Sequence, residues 1–251
     1  MDYRGLKKVD TMSHLPHTEY RPPHALNAAL AQAIVEQLTQ AIALRGQAIL
    51  CVSGGKSPQA LFSALCHLPL AWARVTISLA DERCVPPQHP DSNAWLVRQY
   101  LLQDQAQAAQ LIPLIPNTQA IASLQQSAAM ATRTMQALGR ADVLVLGMGA
   151  DGHMASIFPH DPQLPLALDL TQSPACLPVV LEDPPQHAPY ARITQNLSML
   201  LGARQIFLPV SGSDKLAVLQ RARLAQSLDL PVSYVLHQNR TPVTLWLPIQ
   251  E

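Results

Sequence analysis

The stretch Ala141-Asp-Val-Leu-Val-Leu-Gly-Met-Gly-Ala-Asp-Gly-His-Met-Ala-Ser-Ile-Phe-Pro159 decides the fold. Its apolar run, Val143 to Leu146, is short and rich in branched residues, which suits a strand buried on both faces. Gly147, Gly149 and Gly152 follow, interleaved with Asp151 and His153. Glycine tolerates positive φ, so backbone N–H groups converge and a ligand can approach the chain closely. Ligands bind at the carboxyl ends of strands in open α/β sheets. An imidazole placed there, with a carboxylate two residues before it, is a candidate acid–base centre.

The same glycines match the dinucleotide fingerprint G-x-G-x-x-G, but their context does not. That site needs a long helix directly after the glycines and an acidic residue ending the next strand. Here Pro159, Pro162 and Pro165 arrive within a turn or two and no strand pattern follows. The stretch reads as a catalytic loop.

Working outward, strands and helices alternate. Ala25 to Leu44 has helical apolar spacing and stops at Gly46. Gln47 to Val52 reads as a strand, followed by Ser53-Gly-Gly-Lys-Ser-Pro58 and a helix over Gln59 to Leu65. Arg74 to Ala80 is a second strand, ending in Asp81-Glu82-Arg83. Asp91-Ser92-Asn93 caps a helix near Ala94 to Leu102, and a helix over Ala120 to Leu138 precedes the central strand. Residues 159–190 read as irregular, with a strand near Cys176 to Leu181. After them come a short helix at Leu197 to Ala203, a strand at Gln205 to Val210, and a helix from Ser211-Gly-Ser-Asp-Lys215 to about Ala225. Tyr234 to His237 and Val243 to Leu247 are expected as closing strands. The alternation argues a mainly parallel sheet covered by helices. Residues 1–23 are expected to be loosely ordered, and 24–251 to form a single catalytic α/β domain.

Composition narrows the function. Lysine plus arginine and aspartate plus glutamate each number 17 among 251 residues, so no global field recruits nucleic acid or a membrane. Aromatic side chains are scarce, which weakens a base-stacking role. The amino-terminal residues carry Asp2, Arg4, Lys7, Lys8 and Asp10 without a signal-like apolar core, and no run approaches the roughly 18 apolar residues of a spanning helix. Cys51, Cys66, Cys84 and Cys176 show no C-x-x-C pairing and no metal-like clustering with histidine, which points to a reduced, cytosolic compartment and no metal.

Three further motifs carry chemistry. Ser53-Gly54-Gly55-Lys56-Ser57-Pro58 is a glycine turn between strand and helix, which offers N–H groups to a phosphate. It imitates the end of a Walker A loop, but Leu50 stands where that motif needs glycine, and Pro58 is foreign to it. A single phosphate fits better than a nucleoside triphosphate. An ordinary tight turn is the structural alternative. Asp81-Glu82-Arg83 combines acids with a guanidinium suited to bidentate phosphate binding; its alternative is a structural ion cluster. Arg192 and Lys215 are cations placed where strand ends gather, although each alone reads as solvated surface. No metal signature of the H-E-x-x-H type and no G-x-S-x-G elbow occurs.

In this order, S-G-G-K-S-P at 53–58, D-E-R-C-V-P at 81–86, H-P-D-S-N at 89–93, L-G-M-G-A-D-G-H-M-A-S-I-F-P at 146–159, R-I-T at 192–194 and S-G-S-D-K at 211–215 resemble the 6-phosphogluconolactonase family. The resemblance covers about residues 25 to 240. It implies a modified Rossmann-like sheet of the deaminase/ribose-5-phosphate isomerase type. It also implies hydrolysis of 6-phospho-D-glucono-1,5-lactone, the second step of the oxidative pentose phosphate pathway. Glucosamine-6-phosphate deaminases are the competing branch. Their D-G-H loop carries an acid five residues after the histidine, where this chain has Phe158, and their D-E-Y is D-E-R here. A non-catalytic sugar-phosphate-binding protein on the same fold is a third reading.

On the lactonase reading, His153 is the general base for water and Asp151 orients its ring. The backbone at Gly147, Gly149 and Gly152 helps hold the oxyanion. Gly54, Gly55, Ser57, Arg83, Arg192 and Lys215 bind the substrate phosphate. No cofactor or metal is expected, and the partner is a small-molecule substrate. Neither nucleic acid nor membrane is expected to bind, and the assembly is a monomer or weak homodimer. The family often ends in tryptophan followed by aspartate, whereas Trp246 is followed by Leu247 and Pro248.

Overall fold

A computed structural model describes residues 16–115, 123–182 and 189–249. In chain order the elements are β1 (His17–Arg21), α1 (Leu26–Arg45), β2 (Ala48–Val52), α2 (Gln59–Leu65), β3 (Val75–Leu79), β4 (Asp81–Arg83), α3 (Asn93–Tyr100), β5 (Gln110–Leu111), α4 (Leu124–Leu138) and β6 (Val143–Val145). They continue with α5 (Leu164–Leu168), β7 (Cys176–Val179), β8 (Arg192–Gln195), α6 (Leu197–Leu200), β9 (Ile206–Pro209), α7 (Ser213–Ala222), α8 (Ser233–Leu236) and β10 (Val243–Pro248).

Seven strands form one sheet in the order β1-β10-β9-β6-β2-β3-β5, and every pairing is parallel. The expected parallel α/β sheet is therefore present, with the 141–159 stretch supplying its middle strand. Alternation along the strands feeds two cores. Val143 and Val145 join Leu50, Val52, Phe207 and Trp246 in a cluster with α1 to α4. Leu144 and Leu146 join Cys51, Ile206, Leu208 and Leu245 in a cluster with α5 to α8. This period of two is what a sheet covered on both faces requires.

The longest helix shows how sequence places a layer. In α1, Leu26, Leu30, Ile34 and Leu38 recur every four residues and are buried. Each such side chain contributes about 1.5–3 kcal/mol on full burial. The helix ends where Gly46, at φ 75°, donates its N–H to Ile42 O at 2.8 Å. At the amino ends of the central strands, buried Asp142 accepts from Arg45, from Ile49 N at 2.9 Å and from Arg204 Nε at 3.2 Å. The carboxyl ends are thereby left as the open, polar edge.

A second sheet, β4-β8-β7, is antiparallel. Asp81-Glu82-Arg83, expected as the end of the preceding strand, is a strand of its own and pairs with 192–194, a segment to which no element was assigned from sequence. Three-residue β4 is too short to show a period in sequence, and its partner lies more than a hundred positions away.

Other expectations also change. Residues 17–21, placed in the loosely ordered start, form β1, paired to β10 from His17–Thr244 to Arg21–Pro248. The polar pattern His-Thr-Glu-Tyr-Arg hides this edge strand, whose residues are half-exposed or exposed. Tyr234 to His237, expected as a strand, lies in and beside the helix α8, whose Val235 and Leu236 pack into the second core. Residues 164–168, expected to be irregular, form α5, with Pro165 in the first turn where a missing N–H is tolerated. Cys66 and His67, neighbours in sequence, meet Asp104 in the fold, and their ligand atoms all lie within 4.8 Å of one another. The expectations for residues 1–15, 120–122 and 183–188 fall outside the described residues. Among the described residues no helix is long and apolar enough to cross a membrane.

Candidate active site

A cleft of about 440 Å³ opens at the carboxyl ends of the parallel strands. The turn after β2, the strand β4, the loop after β6, the strand β8 and the start of α7 converge on it. Gly54, Gly55, Ser57, Arg83, Gly147, Gly149, His153, Arg192 and Lys215 all line it, as do Asp81 and Asn93. Asp151 stands behind His153, and Gly152 packs away from the cleft toward Leu230. Most residues selected from sequence are thus gathered in one place.

His153 and Asp151 form a close pair, with Nδ1 2.6 Å from Oδ1. Asp151 also accepts the His153 N–H at 3.1 Å. Partial burial raises the Asp151 carboxyl, but the hydrogen bond and charge of His153 outweigh it and hold the group below the ordinary carboxylate value. An ionised Asp151 on Nδ1 fixes the tautomer that leaves Nε2 as the basic nitrogen. The His153 side chain is 30 % exposed.

This pair needs glycine at position 149. A Cβ there would lie 2.2 Å from His153 Nδ1 and 2.4 Å from Asp151 Oδ1. The loop is further fixed by Gly149 N donating to His153 O at 2.9 Å. Gly152 N donates to Gly149 O, and Gly147 N to Ser53 Oγ at 3.2 Å. All three glycine N–H groups expected to hold an oxyanion thus have partners already, two inside the loop and one on Ser53.

On the other wall, strand geometry sorts Asp81-Glu82-Arg83 by face. Asp81 and Arg83 face the cleft, whereas Glu82 does not line it. Glu82 instead accepts from Arg83 N at 2.7 Å, Asn93 N and Ala94 N at 2.8 Å, and Ser92 Oγ at 3.1 Å. Burial pushes the Glu82 carboxyl up, against the lowering effect of those backbone N–H groups. Its place is the amino end of α3, where an anion is favoured. Ser92 caps that helix through Trp95 N, as expected.

Asn93 does more than the capping cluster predicted. Its Nδ2 donates to Asp81 O at 2.9 Å, while its buried Oδ1 has no hydrogen-bond partner. That oxygen lies against Gly54, where a Cβ would approach it to 1.8 Å. Asp81 accepts from Ser156 Oγ at 2.5 Å, and Ser156 N donates to Thr194 Oγ1 at 3.1 Å. These bonds fasten the His153 loop to the second sheet and offset the left-handed φ of 48° at Ala155.

Cations surround the cleft. Arg83 and Arg192 are cross-strand partners, and Arg83 Nη1 donates to Asp91 O at 2.7 Å. Burial lowers the Arg192 guanidinium from its ordinary value, Asp81 opposes this, and Arg83 adds to it. Lys215 Nζ donates to Ser57 Oγ at 3.2 Å. Burial lowers its ammonium, while the nearby Asp151 charge raises it. Among the described residues no hydrogen bond takes up the N–H of Gly54 or Gly55. Phe158 touches both groups: its ring lies 4.4 Å from that of His153, and Arg192 sits over it at 5.0 Å. Cys84, beside Arg83, is no candidate nucleophile, since burial and then the Glu82 charge push its thiol up to about 11.

Sequence reasoning missed Asp81 and Asn93 as lining residues. The signal was available in the D-E-R and D-S-N motifs, but only the β4 pairing shows which of their side chains face inward.

A parallel α/β sheet with a polar, cation-lined cleft beyond its strand ends is the architecture of the doubly wound α/β class, in which ligands bind at that end. Within that class the chain belongs to the glucosamine-6-phosphate isomerase/6-phosphogluconolactonase family, whose model matches residues 21–246. It is 42% identical over 234 residues to a 6-phosphogluconolactonase of Pseudomonas putida, covering 93% of this chain and 94% of the relative. It is 43% identical over 222 residues to that of Pseudomonas aeruginosa, covering 87% and 89%. A crystal structure of a 6-phosphogluconolactonase from Shewanella baltica superposes with a TM-score of 0.83 at 36% identity, covering 95% of this chain and 99% of that one. A monomeric glucosamine-6-phosphate deaminase shares the fold alone, with a TM-score of 0.74 at 16% identity over 92% and 97%.

Proposed function

We propose that the protein hydrolyses 6-phospho-D-glucono-1,5-lactone to 6-phospho-D-gluconate in the oxidative pentose phosphate pathway. The observation that carries this reading is the His153–Asp151 pair at the edge of a cation-lined cleft, in a chain whose relatives at about 40% identity are 6-phosphogluconolactonases. His153 Nε2 takes the proton from water as the water attacks the lactone carbonyl. General base catalysis of this kind supplies about 10²–10⁴-fold. Ionised Asp151 holds the tautomer and stabilises the imidazolium that forms. Ring opening then returns the proton to the leaving alkoxide, so His153 ends as it began.

The phosphate is held by Arg83, Arg192 and the N–H groups of Gly54 and Gly55, with Ser57 and Lys215 completing the set. Its binding energy positions the carbonyl at the base. The N–H groups of Gly147, Gly149 and Gly152 already have partners, and Lys215 belongs to the phosphate set. It touches the phosphate turn through Ser57 and senses the Asp151 charge. Four unpaired cysteines, three of them buried, support a reducing, cytoplasmic location.

The deaminase reading is disfavoured by Phe158. An apolar ring packs against His153 at the position where the deaminase loop carries its acid. The test is pH-stat hydrolysis of freshly prepared 6-phosphogluconolactone, corrected for spontaneous opening, alongside ammonia release from glucosamine 6-phosphate. Enzymatic lactone opening without ammonia is expected. Ammonia release overturns the reading in favour of the deaminase branch, and binding without either reaction favours a non-catalytic protein.

A further inference from the structure

Away from the cleft, the fold assembles a second set of metal-competent side chains. Cys66 closes α2, His67 follows it, and Asp104 opens the short turn Asp104–Ala108. Cys66 Sγ lies 3.8 Å from Asp104 Oδ2, and His67 Nδ1 lies 3.0 Å from the same oxygen. All three ligand atoms fall within 4.8 Å of one another. A tetrahedral zinc ion with Zn–S about 2.3 Å and Zn–N or Zn–O about 2.0–2.1 Å requires S···O near about 3.5 Å and N···O near about 3.3 Å. Both observed edges lie within a few tenths of an ångström of these values.

The surroundings favour a prearranged set. Gln105 N donates to Cys66 O at 3.0 Å, which pins the two segments together through the backbone. Asp104 holds a left-handed φ of 44°, a conformation rare outside glycine, and its carboxylate meets Cys66 and His67. Cys66 is buried, whereas the His67 and Asp104 side chains are 66% and 57% exposed, so one side of the set is open to water. A thiol, an imidazole and a carboxylate together suit a borderline-soft ion; magnesium and calcium prefer oxygen ligands alone.

We propose that Cys66, His67 and Asp104 form a site for a borderline-soft divalent cation, zinc(II) above all, with water completing a tetrahedral shell. Binding replaces the Cys66 S–H proton, which passes to solvent, and the thiolate, the imidazole and the carboxylate each donate one lone pair. The ion would clamp the end of α2 to the turn 104–108. It would sit at the opposite end of α2 from the Gly54–Gly55 turn, so it takes no part in opening the lactone. The site is independent of the lactonase reading and stands or falls on its own measurement.

The test uses the full chain, tag-free and stripped of metal. Zinc is titrated calorimetrically, and cobalt(II) is added as a spectroscopic substitute. One equivalent of zinc per chain is expected, together with a thiolate-to-cobalt charge-transfer band. Cys66→Ala should abolish the band. His67→Ala and Asp104→Ala, both at exposed side chains, should each weaken zinc binding at least about tenfold, since even outer-shell changes cost 10- to 100-fold. Cys84→Ala should keep the band, and His67→Ala should keep full lactonase activity. Absence of stoichiometric zinc binding by the wild type overturns the proposal. So does binding unchanged in both His67→Ala and Asp104→Ala.

Discussion

Arg83 and Arg192 stand directly opposite one another across the antiparallel β4–β8 ladder, and both face the cleft. Like charges in that register are destabilising. Asp81, whose charge steadies Arg192, offsets part of the repulsion, and a bound dianion would offset the rest. Arg83→Ala and Arg192→Ala should each raise KM for the lactone about 10- to 100-fold, the range of a charge-assisted hydrogen bond at 1.5–3 kcal/mol, with a smaller effect on kcat. Initial rates over a range of substrate concentration check this. Unchanged KM in both variants would remove the phosphate from this end of the cleft.

His153→Ala should lower kcat by about 10²–10⁴-fold while leaving KM near the wild-type value, because the imidazole acts on water and not on the phosphate. Asp151→Asn keeps the shape of the pair but loses the charge that stabilises the imidazolium. Its kcat should fall as well, by less than in His153→Ala. Near-normal turnover in His153→Ala would sink the base assignment.

Gly149→Ala tests whether the pair depends on close approach. The added Cβ meets His153 Nδ1 at 2.2 Å, so the ring must move by about an ångström. A displacement of that size costs on the order of 100-fold in rate. The loss should appear in kcat, with thermal stability little changed. Gly54→Ala is the matching test of the other wall: the Cβ meets Asn93 Oδ1 at 1.8 Å and should raise KM instead.

Two carboxyls should shift stability with pH in opposite directions. Asp151 is held below its unfolded value of about 3.9, so its contribution is present above that pH and lost as pH falls through the folded value. Glu82 is pushed above its unfolded value of about 4.3. The folded state then binds the Glu82 proton more tightly, which adds stability on the acid side that is lost as pH rises through the folded value. Urea unfolding between about pH 3 and 6 should show Asp151→Asn less acid-sensitive than wild type and Glu82→Gln more so. The same slope in all three proteins would contradict both assignments.

The sequence alone determined the parallel sheet, because buried strands and amphipathic helices write their periods locally: Val143 to Leu146 for the middle strand, Leu26 to Leu38 for the covering helix. It also brought Asp151 and His153 together, since they are two residues apart on one glycine loop. The tertiary structure decided what depends on distant pairing. Only the β4–β8 ladder turns Arg83 and Arg192 toward each other, sends Glu82 to the end of α3 and leaves Asp81 inside the cleft. Only packing shows that Gly54 makes room for Asn93, and that the glycine N–H groups of the His153 loop are already bonded. Likewise, β1 carries no apolar alternation of its own and is a strand because β10 offers it an edge. Cys66 and His67 acquire Asp104 as a neighbour only through the fold. A local period can be read from one segment, but a face, a partner or an occupied donor is a property of two segments brought together.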